Sequence, residues 1–356
     1  MAVEAAPANS VPLRCLEVAM TPRDRVLAHL AGRPIDRLPV MPLTMMFAAR
    51  TVGVSYAAYC RDHRVLVDAQ VRTARRFGFD HVSCISDPTR EASDFGATIQ
   101  WFEDQPPAID EGRALLADPA RLADLEPPDP LAGGRMTDRV AAARLFRETV
   151  GDEFLVEGWV EGPCAEAADL RGINTLMLDF YDDTTFVHRL LDLATGTGLR
   201  FARAQVDAGV DIVGVGDAAA SLIGPQIYEE FVRPYQHRLV DGIHAMGALV
   251  RFHVCGNTRR IVGGLGSLGA DILDIDYPVP LSEARAAVGP DQVLLGNLDP
   301  VRALMDSTPA EIEAAIGACH RDAGPRFIIG AGCEIPRGTP DENVDALAAY
   351  ARTHRF

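Results

Sequence analysis

Short apolar runs recur along the second half of the chain, each followed by a longer stretch with apolar positions at helical spacing. The runs at 154–160, 211–216, 249–255, 272–277, 293–297 and 327–333 predict strands. The stretch leading to 208, then 225–246, 258–268, 281–288, 309–322 and 341–354, predict helices. The first half adds strands at 38–44 and 81–86 and helices at 21–32 and 62–77, the second stopped by Gly78. Thr21 is placed as an N-cap, with Pro22 at the first helical position. Residues 97–102 alternate with period two and predict part of a hairpin outside the main sheet. The Pro- and Gly-rich stretch 125–134 is the best linker candidate, but it is too short to divide the chain.

Eight strands alternating with helices place the chain in the α/β class, as a (β/α)₈ TIM barrel. The strands are apolar on both faces, as barrel strands are. No G-x-G-x-x-G follows the first strand, which argues against a doubly wound open sheet. Residues 1–20 are Ala-rich, carry Glu4 and Glu17, and lack a basic segment followed by an apolar block. They are expected to form a flexible N-terminal extension rather than a signal peptide. Residues 21–356 are expected to be one catalytic domain.

Composition narrows the partners. With 34 basic and 50 acidic residues, the net charge is −16, which argues against nucleic acid and against an anionic membrane surface. No run approaches the roughly 20 apolar residues of a membrane span. Cysteines at 15, 60, 84, 164, 255, 319 and 333 form an odd, scattered set with no C-x-x-C pair. That fits a reducing, cytoplasmic setting and metal or catalytic use better than a disulfide framework.

In a barrel of this kind the chemistry sits at the C-terminal strand ends. Those ends carry Asp87, Glu161, Asp217, His253 with Cys255, Asp276 with Tyr277, Asn297 with Asp299, and Cys333. His253 and Cys255, two apart on one strand, point to the same side. With Cys333 from another strand they make a Cys₂His donor set, the kind a catalytic zinc uses when it keeps one position open. Gly256 and Gly332 beside them suggest close backbone approach to a ligand. The competing reading is that each cysteine is a small buried hydrophobe. Asp276 is a candidate to fill the open position at rest or to act behind it. Cys84 is the rival fourth donor. The acidic strand ends favour a cationic ligand such as a quaternary amine. The segment Met41 to Phe47 is a candidate pocket wall, with core packing as the competing reading.

With those residues in view, the chain resembles the uroporphyrinogen decarboxylase superfamily. The resemblance is carried by Met20 through Val40, by Tyr228-Glu-Glu-Phe-Val-Arg-Pro-Tyr235, by Phe252-His-Val-Cys-Gly-Asn257 and by Leu295-Gly-Asn-Leu-Asp-Pro300. Within it, the chain looks like the corrinoid-linked methyltransferase branch. That branch carries a zinc motif H-x-C with a distant Cys, which falls here on His253, Cys255 and Cys333. The resemblance implies Zn²⁺ and a corrinoid, either free cobalamin or a partner corrinoid protein docking over the barrel mouth. It implies a small thiol or other methyl acceptor or donor and a homodimer; from the strand ends, Asp87, Glu161, Asp217, Asp276 and Asn297 are the catalytic candidates, and Asn257 and Tyr277 the candidates for corrinoid contact. The decarboxylase branch carries Arg-Gln-Ala-Gly-Arg soon after the first strand. Here that stretch has Arg50 as its one basic residue, outside that pattern. A metal-free decarboxylase and a non-catalytic zinc or corrinoid carrier remain as alternatives.

Overall fold

A computed structural model describes residues 20–354, so the expected extension lies, but for Met20, outside the described residues. Seven parallel strands follow one another in sequence order around a curled sheet. They are β1 (His81–Ser83), β2 (Leu155–Glu161), β3 (Ile212–Gly216), β4 (Leu249–Val254), β5 (Ile272–Ile275), β6 (Val293–Leu298) and β7 (Phe327–Ala331). Helices pack outside them, giving the α/β barrel architecture.

The eighth expected strand, 38–44, is reduced to one parallel bridge between Val40 and Ile329. Pro39 and Pro42 have no N–H to donate, so a ladder cannot propagate through this segment. The segment still closes the ring. Met41 N donates to Ile329 O at 2.9 Å on one side, and Asp80 N donates to Val40 O at 2.9 Å on the other. Asp80 is fully buried and holds the closure by accepting from Val40 N, Arg37 and Arg25. Arg25 belongs to the helix Pro22–Leu30, whose Val26 packs with Leu155, Ile212, Ile272 and Val293 to plug the N-terminal end of the barrel.

Other departures have local causes. The helical region expected up to 208 is three helices, Pro163–Arg171, Ile173–Asp182 and Thr184–Asp207, parted at Gly172 and Asp183. The expected helix 225–246 widens into a π turn at Tyr228–Val232 just before Pro234, which cannot donate into an α-helical ladder. The expected helix 258–268 shrinks to Val262–Gly266, where three of five residues are glycine. The hairpin forms as two-residue strands, Ile99–Gln100 against Ala108–Ile109. The helix Arg135–Val150 has no counterpart in the expected elements. Its buried stripe includes Arg139 and two alanines, which blur the apolar period.

The barrel interior carries charge. Side chains alternate along a strand, so Arg251 and His253 of β4 point inward together, as do Glu157, Trp159 and Glu161 of β2. Arg251 is fully buried, with Nη2 2.6 Å from Asp274 of β5 and Nη1 3.3 Å from Glu157. Trp159 fills the space over β3 because Gly214 and Gly216 face it, and a Cβ at Gly214 would collide with its ring. Removing one partner of a buried ion pair strands the others at a cost of about 3–5 kcal/mol. Arg251→Met is therefore expected to lower unfolding free energy by about that amount, read from urea midpoints at unchanged slope. Adding Asp274→Asn and Glu157→Gln should restore part of the loss. An unaltered midpoint in the single variant would contradict this account of the interior.

Candidate metal centre

His253 lies one residue before the end of β4, and Cys255 follows the strand directly. Cys333 lies two residues past the end of β7. Gly256 adopts φ +92°, the left-handed turn that takes the chain away after Cys255. Gly332 lets the end of β7 approach β5, since a Cβ there would press on Tyr277 N and on Asp276 Oδ1. The result brings three donors together: His253 Nε2 is 2.9 Å from Cys255 Sγ, and the two sulfurs are 3.6 Å apart. All three donor atoms lie within 4.8 Å of one another. A tetrahedral zinc with Zn–S of ~2.3 Å and Zn–N of ~2.0 Å separates its donors by roughly 3.3–3.8 Å, so the set fits that ion with small adjustment.

The other imidazole nitrogen, Nδ1, faces Asp274 Oδ2 at 3.3 Å. β4 and β5 pair His253 directly with Asp274. A carboxylate behind a histidine fixes its tautomer and leaves Nε2 for a metal. Burial alone lowers the His253 imidazole, yet the Cys255 sulfur and the Asp274 carboxylate outweigh it and hold the group well above its ordinary value. The hydrogen bond from Cys255, aided by His253, draws the Cys333 thiol well below the usual range. A divalent cation bound by these three groups would displace the protons they share.

A cavity of about 180 Å³ opens beside these donors at the C-terminal end of the barrel. Asp87, Glu161 and Asp217 line it, but each is already engaged. Arg135 grips Asp87 at 2.5 and 2.8 Å, and burial notwithstanding holds its carboxyl well below the usual range. Arg90 Nη2 donates to Glu161 at 2.9 Å. Asp217 accepts from Ala165 N at 2.6 Å and from Gln236 Nε2 at 2.7 Å, and burial pushes its carboxyl up to about 6. Gln236 in turn accepts from Tyr228 of the π turn at 2.9 Å.

The remaining expected residues stand apart from the cavity wall. Asp276 accepts from Gly256 N at 2.5 Å and from its neighbour Tyr277 N at 2.7 Å, tying the β4 and β5 ends together. Asn297 Nδ2 donates to Val279 O at 2.6 Å and to Asp276 O at 3.3 Å, so its amide secures a loop. Asn257 is exposed and caps a turn by accepting from Arg259 N at 3.2 Å. Tyr277 stands half exposed on the rim. Cys84 is buried among strand residues, with its thiol pushed up to about 12 by burial, and is outside the donor cluster. Of the Met41 to Phe47 segment, Leu43 and Met45 line the cavity while Met41 and Phe47 pack in the core.

Three structurally central residues escaped the sequence reading: Asp274, Arg251 and Trp159. Asp274-Ile275-Asp276 does carry a signal, because two acids at spacing two in a buried strand must share its inner face.

The match to known proteins agrees with this frame. The family model for uroporphyrinogen decarboxylase (URO-D) matches residues 21–354. The chain belongs to that family. It is 29% identical over 346 residues to the methylcobamide:CoM methyltransferase MtbA of Methanosarcina mazei, spanning 94% of this chain and 99% of that one. It is 28% identical over 334 residues to the uroporphyrinogen decarboxylase of Myxococcus xanthus, spanning 89% and 93%. A solved methyltransferase from Methanosarcina mazei superposes with a TM-score of 0.80 at 23% identity, over 94% of this chain and 98% of that one, and so shares the fold. No described helix is long and apolar enough to cross a membrane.

The Asp217 environment sets a pH dependence. Between about pH 4 and the native value of about 6, the unfolded chain has released a proton that the native carboxyl keeps. Stability contributed by this group is therefore present at low pH and lost as pH rises through that window, by about 3 kcal/mol. Chemical denaturation at pH 4 and pH 7 should show this loss in the wild type relative to Asp217→Asn. Parallel pH profiles for the two proteins would refute it.

Proposed function

We propose that this protein is a zinc-dependent methyltransferase that moves a methyl group between a corrinoid and a small thiol. The observation that carries the reading is the Cys₂His cluster at the barrel mouth, with Asp274 behind its histidine and a cavity at its open side. The relatives named methylcobamide:CoM methyltransferases support the corrinoid half.

Zinc held by His253, Cys255 and Cys333 would keep a substrate sulfur as thiolate at neutral pH. The chain supplies the rest. Asp274 orients His253, and Arg251 keeps Asp274 ionised against the cost of burial. Leu43, Met45, Ile85 and Trp159 exclude water from the sulfur. A methyl-corrinoid over the mouth would supply an electrophilic methyl group, which the substrate sulfur would take as the Co–C electron pair stayed with cobalt. Asp87, Glu161 and Asp217 act as positioning residues, each pinning a helix or loop to the mouth.

The corrinoid, free or carried by a partner protein, would sit over the mouth. Leu222, Tyr277 and Val301, 45–61% exposed, all follow C-terminal strand ends and give that rim an apolar face. Tyr277 and Asn257 are the rim residues we assign to corrinoid contact. A metal-free decarboxylase of the uroporphyrinogen type fits the cavity less well. Its polycarboxylate substrate calls for cations, and among the described residues the cavity wall contains no Arg or Lys.

Purified without a metal-binding tag, the protein is expected to hold about one zinc per chain, by analogy with other open three-ligand sites. Cys333→Ala should lose that zinc, and with it methyl transfer from methylcobalamin, while keeping its far-UV circular dichroism. Full transfer by metal-free Cys333→Ala would sink the proposal.

A further inference from the structure

The wall of the cavity says what kind of thiol it takes. Its surface is chiefly Leu43, Met45, Ile85, Pro88, Pro106 and Trp159, with the donors, the three carboxylates and Tyr56, whose hydroxyl donates to Ser86 O. None of those carboxylates presents a free charge. Asp87 is bound to Arg135 through two oxygens, and Glu161 to Arg90. Asp217 turns both oxygens away, one to Ala165 N at the start of the helix Pro163–Arg171 and one to Gln236. Packing fixes that orientation, since a Cβ at Gly162 would collide with the Asp217 side chain. The two guanidinium groups behind the wall are each paired to one of these acids; Arg90 also lies 3.5 Å from Glu91, and its unpartnered Nε and Nη1 are buried behind the wall rather than part of it. A Cys₂His zinc shell is itself close to neutral.

An anionic ligand in this space would lose its hydration with no cation to meet it, beside three carboxylates. A cationic ligand would meet carboxylates that already have partners: Asp87 and Asp217 through both oxygens, and Glu161 through its ion pair with Arg90. An apolar group loses nothing on entry and displaces water from apolar walls. The volume of about 180 Å³ compares with the ~150 Å³ apolar cavity that accepts benzene.

We propose that the thiol used by this chain has an uncharged, apolar remainder no larger than a benzene ring. The inference rests on the zinc-thiolate reading above and sharpens it. It sets this chain apart from any thiol carrying a sulfonate, coenzyme M (2-mercaptoethanesulfonate) included, and from a quaternary amine.

The test is calorimetric titration of the zinc-loaded protein with propane-1-thiol, 2-mercaptoethanesulfonate and cysteamine. Each affinity is referred to that thiol's own solution pKa, and released protons are counted by repeating the titrations in two buffers of different ionisation enthalpy. The expected result is one proton released on binding, with propane-1-thiol bound at least tenfold more tightly than either charged thiol. Equal or tighter binding of 2-mercaptoethanesulfonate or cysteamine, with the proton released, overturns the apolar assignment and leaves the zinc-thiolate reading standing. No binding or proton release with any of the three, on protein shown to hold zinc, overturns both.

Discussion

A closed barrel cannot bury a lone charge, and this one buries several by making them share. Asp274 is the shared member. One of its oxygens takes Arg251 from the barrel interior and faces His253 at the mouth. Burial would raise that carboxyl, but Arg251 and His253 hold it below the usual range, so it stays an anion where a neutral acid would otherwise be preferred. Interior packing and the donor cluster are therefore coupled through one side chain. The register of β4 against β5 sets the coupling, because a slip of one residue would turn Arg251 and His253 outward together.

The same economy shapes the mouth. β2 sends Glu157, Trp159 and Glu161 inward at successive levels. Glu157 completes the Arg251 pair, Trp159 spans the space left by Gly214 and Gly216, and Glu161 meets Arg90 at the top. Each level has its own solution to desolvation: an ion pair, a ring over glycine, then a second ion pair. The floor of the cavity is thereby built from paired and packed side chains, the support an open three-donor site calls for.

The sequence carried the strand order and the donor set because both depend on local pattern. Apolar runs mark strands buried on two faces, and His253 and Cys255 share a side by strand geometry alone. It lost the details that depend on partners far along the chain. Pro39 and Pro42 stop a ladder at 38–44, yet the segment closes the ring through Ile329 and Asp80, which no local pattern reveals. Asn297 looked like a site residue because it ends a strand. Its amide instead secures the Asp276–Val279 loop, whose position is set by tertiary packing. Asp274 stayed hidden for the opposite reason: it lies within a strand, where an acid has meaning only once Arg251 is known to face it.

Charge at the mouth shows the same limit in a form that bears on substrate choice. Along the sequence, Asp87, Glu161 and Asp217 read as an acidic rim suited to a cation. In space, the groups that answer them come from elsewhere: Arg135 from a helix preceding β2, Arg90 from a short helix after β1, and Gln236 from the helix beyond the π turn. A formal charge counted at a strand end is thus not a field in the cavity. What an entering molecule meets is the residue left after pairing, and here that residue is apolar surface around two sulfurs and an imidazole. Changing only these answering groups would alter the charge an entering molecule meets while leaving the fold and the donor set intact. Selectivity would then be written in the helices around the barrel more than in the strand ends that bring the three donor side chains together.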